Sequence, residues 1–192
     1  MKFMLCFTSS ILIAFILITV FPSAEESEIY SDLIRLHVIA NSDDEADQEL
    51  KLKVRDSVLL KFGNELSDIT KLDQAEEFLK ASLDDIKKEA EKTVLQEGYD
   101  YPVNVFLDTE QYPKREYDNF SLPAGEYLSL RIVIGNGEGK NWWCVIFPPL
   151  CNSVASEKKD ENEYISVGLT PSEYNLIKND DQPVYKIKFK IF

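Results

Sequence analysis

"LIRLHVIANSDDEADQEL", residues 33–50, changes periodicity midway, and that change sets the kind of fold to expect. In its first half Ile34, Leu36, Val38 and Ala40 alternate with Arg35, His37 and Ile39, the two-residue repeat of a strand. Ser42 followed three places later by Glu45 has the pattern of a capping box, and the acids crowded into 43–49 suit the positive end of a helix dipole. Leu50, Val54, Val58 and Phe62 then step by four, which predicts a helix running to about Phe62 and stopped by Gly63.

A second helix is expected from Thr70 and Asp73, with Leu72, Ala75, Phe78, Leu79, Leu83, Ile86, Ala90 and Val94 as its buried stripe and Gly98 as its terminator. Glu76–Lys80 and Asp84–Lys88 are spaced as favourable pairs on its wet side. Beyond it the pattern returns to alternation. Strands are expected at "YPVNVFL" (101–107), "EYLSLRIVIG" (126–135) and "NWWCVIF" (141–147), the last two joined by a glycine-rich hairpin over 135–140. A polar loop after Cys151, a short strand at 164–167, a short helix opened by Thr170-Pro171-Ser172-Glu173 and a closing strand "VYKIKFKIF" complete the chain. A strand, two helices and then mostly strands, without internal repeats, predict a single α+β domain with a mainly antiparallel sheet.

The chain has 192 residues, 44% of them hydrophobic, enough for one packed core. Its formal net charge of -13 repels phosphate backbones and anionic lipid, so nucleic acid is not an expected partner. Between Lys2 and Glu25 the run 3–21 is almost wholly apolar. That marks 1–24 as a signal peptide, with Pro22-Ser23-Ala24 before the cut, and 25–192 as an exported domain. Because ~20 apolar residues span a bilayer, an uncleaved signal anchor is the alternative. Either way the charge bias places the remainder outside the cytoplasm and limits membrane contact to this segment.

Export bears on the cysteines. Cys144 and Cys151 remain after the leader, and an even count in an exported chain suggests one disulfide. Zinc would need two further ligands and His37 is the sole histidine, so neither a metal nor another cofactor is expected. Gly135–Lys140 is not a phosphate loop, since Asn141 stands where a hydroxyl residue would hold magnesium. Asp108-Thr109 has the start of an aspartic protease signature, but Glu110 replaces its glycine. No GxSxG stretch is present. These residues point away from catalysis, with a hydrolase using His37 or paired carboxylates as the alternative.

What remains is a surface. On a strand Trp142, Cys144 and Ile146 face one way and Trp143, Val145 and Phe147 the other. One set fills the core, and the other needs a cover, either the C-terminal segment or another protein. Tryptophan held rigidly beside Pro148-Pro149 is the composition of an interaction hot spot. Trp142, Trp143, Pro148 and Pro149 are therefore candidate contact residues. The stretch 35–43, with Arg35, His37, Asn41 and Asp43, is a second candidate because it joins a polar-faced strand to a helix start. Lys186, Lys188 and Lys190 form a basic strip that reads as a solvated or protected strand face, or as a docking patch for an acidic partner.

"IRLHVIANSDDEADQELKLKVRDSVLLKF" (34–62) and "LPAGEYLSLRIVIGNGEGKNWWCVIFPPLC" (122–151) together resemble the stage II sporulation protein R family of endospore-forming bacteria. The resemblance implies a protein made in the forespore and exported into the space between the two sporulation membranes. There it would act as an intercellular signal, activating a membrane-embedded aspartic protease of the mother cell that processes pro-sigma-E. It implies no enzymatic activity of the chain's own.

Overall fold

The computed structural model describes residues 32–117 and 121–150, together with 165, 169–171, 174 and 177. The expected signal segment 1–24, Cys151 and the closing strand with its three lysines lie outside the described residues. No helix among the described residues is long and apolar enough to cross a membrane.

Strand β1 (Ile34–Ile39) leads into helices α1 (Glu45–Ser67) and α2 (Leu72–Gln96). Strand β2 (Val103–Tyr112), a two-residue hairpin of β3 (Arg115–Glu116) and β4 (Ser121–Leu122), β5 (Gly125–Ile134) and β6 (Asn141–Phe147) follow. The fold is α+β, as expected, with a four-stranded sheet in the order β2-β5-β1-β6. β1 runs parallel to β5, and the remaining pairs are antiparallel.

The central place of β1 follows from its composition. Ile34, Leu36 and Val38 face the helices and are completely buried, while Arg35 and His37 are buried on the opposite side. A strand buried on both faces belongs in the middle of a sheet. On the helix side Leu130, Ile132 and Ile134 of β5, with Val103 of β2 and Cys144 and Ile146 of β6, meet Leu50, Val54, Val58 and Phe62 of α1 and Ala75, Leu79, Ile86, Ala90 and Val94 of α2. Burying each large aliphatic side chain there is worth about 1.5–3 kcal/mol. The helices are also tied by exposed Lys53–Glu97 and Lys61–Glu89 ion pairs and by a hydrogen bond from the buried Thr93 hydroxyl to Ser57.

Several local expectations change. Gly63 does not stop α1, which continues to Ser67 because Leu66 extends the buried stripe. The Ser42–Glu45 capping box does not form. Asp44 is the N-cap residue, and the Ser42 hydroxyl donates to Asp47 instead. Lys71, not Thr70, precedes α2, and its wet side pairs Lys88 with Asp85 where Asp84 was expected, while Glu76–Lys80 forms as read. Gly98, at φ +87, closes α2 as anticipated. Ile165 is helical, not part of a strand.

The largest correction concerns residues 135–140. They do not join paired strands, because β1 lies between β5 and β6. The segment passes over the end of β1, where the N–H groups of Glu138 and Gly139 donate to the carbonyls of Asn41 and Ala40. Its glycines allow that close passage. A Cβ at Gly139 would stand 2.1 Å from the Ser42 carbonyl oxygen, and one at Gly135 would stand 2.2 Å from the Asn41 side chain. Alternation had indicated both strands correctly; which strand lay beside which depended on where β1 inserted.

Candidate interaction surface

The sheet face away from the helices holds a second cluster. Leu33, Tyr112, Leu122, Tyr127, Val145 and Leu150 pack there with Leu169, Tyr174 and Ile177 from the C-terminal region, and Tyr117 and Trp143 border it. The described C-terminal residues thus supply part of the cover that this face of β6 requires.

Arg35 lies under that cluster, 0% exposed. Its Nε donates to the Cys144 carbonyl at 3.1 Å and its Nη2 to the Tyr117 hydroxyl at 2.8 Å. Its guanidinium also sits over the rings of Tyr112 and Tyr127, at 4.3 and 5.0 Å. Two residues along the strand, and so on the same face, His37 places Nδ1 3.2 Å from a Glu110 oxygen and Nε2 2.8 Å from Asn141 Oδ1. Arg131 donates to both Glu110 and Asp108, at 3.0 Å each. Register explains the meeting: β1 places His37 opposite Arg131 on one side and Trp143 on the other.

Burial alone would raise the Glu110 carboxyl. Hydrogen bonds to His37 and Ser129, and the charges of His37 and Arg131, outweigh it and bring the group down to about 2. Glu110 therefore stays ionised through the neutral range. The phenol of Tyr112 is pushed up chiefly by burial, and its hydroxyl shares a 2.7 Å hydrogen bond with Ser129. It stays neutral.

Trp143 is half-buried, 5.5 Å from the His37 ring, with the Arg115 guanidinium 3.7 Å from its own ring centroid. Trp142 points to the helix side, 37% exposed, under Arg55 at 4.2 Å. The adjacent tryptophans thus straddle β6, an edge strand of the sheet.

A family model for stage II sporulation protein R (spore_II_R) matches residues 30–157. The chain belongs to the stage II sporulation protein R family. Stage II sporulation protein R of Bacillus subtilis (strain 168) is 38% identical over 151 residues, which cover 73% of this chain and 67% of that relative. No solved structure matches.

Within this stage II sporulation protein R fold the candidate contact residues fall into separate places. Arg35, His37 and Trp143 share the outer face, and Trp142 stands behind them on the helix side. Asn41 and Asp43 sit at the far end of β1 and hold the glycine segment: Asn41 Oδ1 accepts from the Asn136 N–H and Asp43 Oδ1 from the Lys140 N–H. Asn41 and Ser42 also donate to Asp47, at 2.8 and 2.6 Å. Pro148 is buried and Pro149 half-buried beyond the other end of β6, after a cis Phe147–Pro148 bond. Cys144 is buried, and Cys151 lies outside the described residues.

Sequence reading missed Glu110, Arg115, Tyr117, Arg131 and Asn141. A signal existed in β5, where Tyr127, Ser129 and Arg131 alternate with leucine and isoleucine, a polar-aromatic face that is not a plain solvent face. Among the described residues no group of three or more His, Cys, Asp or Glu side chains forms a metal-holding cluster.

Proposed function

We propose that this sporulation protein is an exported intercellular signal. It passes from the forespore into the intermembrane space and activates a membrane-embedded aspartic protease that processes pro-sigma-E in the mother cell. Residues 1–24 direct export, as a cleaved signal or as an anchor. Residues 25–192 are the active domain, and a Cys144–Cys151 disulfide braces the end of β6. The chain works as a ligand, without catalysis of its own. Activation requires that it bind the active state of the protease more tightly than the inactive one.

The observation that supports this reading most is the placement of Trp142 and Trp143 on opposite faces of an edge strand. A partner closing on that edge would touch both indoles, and tryptophan truncations are costly where partners close around them. Arg35, His37, Asn41, Asp43, Pro148 and Pro149 support the display by fixing the strand at both ends and from beneath.

A hydrolase is the second reading, favoured by the 3.2 Å His37–Glu110 contact, the spacing of a base and its orienting acid. The other ring nitrogen, however, faces Asn141 and not a hydroxyl or thiol. Replacement of His37 by Asn separates the two, since a signal tolerates a change that keeps the fold and a hydrolase does not. The direct experiment is co-purification of the full chain with the candidate protease, read by cleavage of the sigma precursor. Capture with stimulated cleavage supports the proposal; cleavage indifferent to the chain refutes it.

A further inference from the structure

Buried cations are ordinarily paired, because stripping water from a charge is costly unless its donors find acceptors. Arg35 departs from that rule. It is 0% exposed, and its Nη1 is buried without an acceptor among the described residues. Arg115 on β3 supplies a second such donor, since its Nε is likewise buried and unaccepted. No carboxylate of the described residues pairs with either guanidinium. Both border the Tyr117–Trp143 pair: the Tyr117 hydroxyl accepts from Arg35 and donates to the Trp143 carbonyl at 3.3 Å, and the Arg115 guanidinium lies 3.7 Å from the Trp143 ring centroid. Burial pushes that phenol up, and the positive charges of Arg35 and Arg115 pull against it.

We propose that Arg35 and Arg115 form a carboxylate-binding site, filled by an aspartate or glutamate side chain of a partner protein entering over Trp143. Arg35 is the floor. Arg115, Tyr117 and Trp143 form a half-buried rim that can be reached from solvent. Guanidinium N–H donors match the planar carboxylate, and the surrounding aromatic rings hold water away and strengthen the contact. On a chain of net charge -13 acidic groups are repelled over much of the surface, so two arginines with no carboxylate partner among the described residues are selective for them. The source of the carboxylate rests on the protein-partner reading above, but the site can be tested without the partner.

The purified full chain, labelled with nitrogen-15 at arginine Nε, is titrated with the peptide Ac-Gly-Glu-Gly-NH2 and with its glutamine counterpart at fixed ionic strength. The Arg35 and Arg115 Nε signals shift with the glutamate peptide and not with the glutamine one. Arg115→Ala weakens binding about tenfold, the loss of one charge-assisted hydrogen bond. Arg115→Met, which keeps the packing on Trp143, does the same should alanine loosen the hairpin. No shift, equal shifts with both peptides, or undiminished binding in the folded variants overturns the site. Stronger shifts with inorganic phosphate overturn its assignment to carboxylate. In sporulating cells Arg115→Met lowers sigma-E processing at constant protein level. Unchanged processing alongside lost peptide binding overturns the partner as the source.

Discussion

Gly139 packs against Ser42 so closely that an added Cβ would lie 2.1 Å from the Ser42 carbonyl oxygen. That oxygen cannot simply step aside, because it also accepts from Gln48 Nε2 at 2.8 Å and so helps fix the start of α1. Gly139→Ala is expected to cost about 3 kcal/mol, an overpacking penalty against backbone. Gly98 is the control. It has φ +87 with open space around its Cβ position, so Gly98→Ala should cost only about 1 kcal/mol of backbone strain. Urea unfolding of both variants measures the difference, and equal losses would contradict the contact.

Asp47 anchors the other side of the same junction. Hydrogen bonds from Asn41 and Ser42 converge on its buried carboxylate, and with Tyr101 they hold it below the usual range against the upward push of burial. Asp47→Ala should destabilise by about 2–3 kcal/mol, the worth of hydrogen bonds to a buried charge. Amide exchange at Asn136 and Lys140, whose N–H groups depend on Asn41 and Asp43, should quicken in parallel.

Glu110 sets an acid limit on stability. Its carboxyl is depressed from 4.5 to about 2, so the unfolded chain takes up that proton first as pH falls. The stabilisation is complete above the unfolded value of 4.5 and is lost as pH drops towards 2. Urea midpoints followed from about pH 6 to about pH 2.5 should fall less steeply for Glu110→Gln than for the native chain. An identical slope would show that the pairing with His37 and Arg131 contributes nothing.

The two tryptophans should separate in stability. Trp143 loses contacts with Arg115 and His37 on truncation, so Trp143→Ala should cost about 3 kcal/mol. Trp142 is 37% exposed, with Arg55 4.2 Å from its ring centroid, so Trp142→Ala should cost about 1 kcal/mol. Chemical denaturation distinguishes them, and the milder Trp142 variant is then the cleaner probe of the proposed partner contact.

Much of this was legible along the chain. The alternation of Ile34, Leu36 and Val38 and the four-residue steps of Leu50, Val54 and Val58 are local consequences of burying one face, and each appears where it was read. β2 runs on to Tyr112, beyond the expected end at Leu107, because its partner β5 is equally long; ladder pairing, not hydrophobicity, sustains the polar residues Asp108 to Gln111. The surface was less legible. Trp143 and His37 were visible as candidates, but Glu110, Arg115 and Arg131 looked like ordinary charges until pairing brought them to the same face.

The order of elements, the helix stripes and the paired tryptophans can be read along the chain, because periodic burial is written into neighbouring residues. That β1 enters between β5 and β6 and that residues 135–140 cross over its end emerges only when the strands are assembled. The same insertion sets His37 beside both Arg131 and Trp143. Strand neighbours are chosen by hydrogen bonds and packing between segments far apart in the chain, and no local period records that choice.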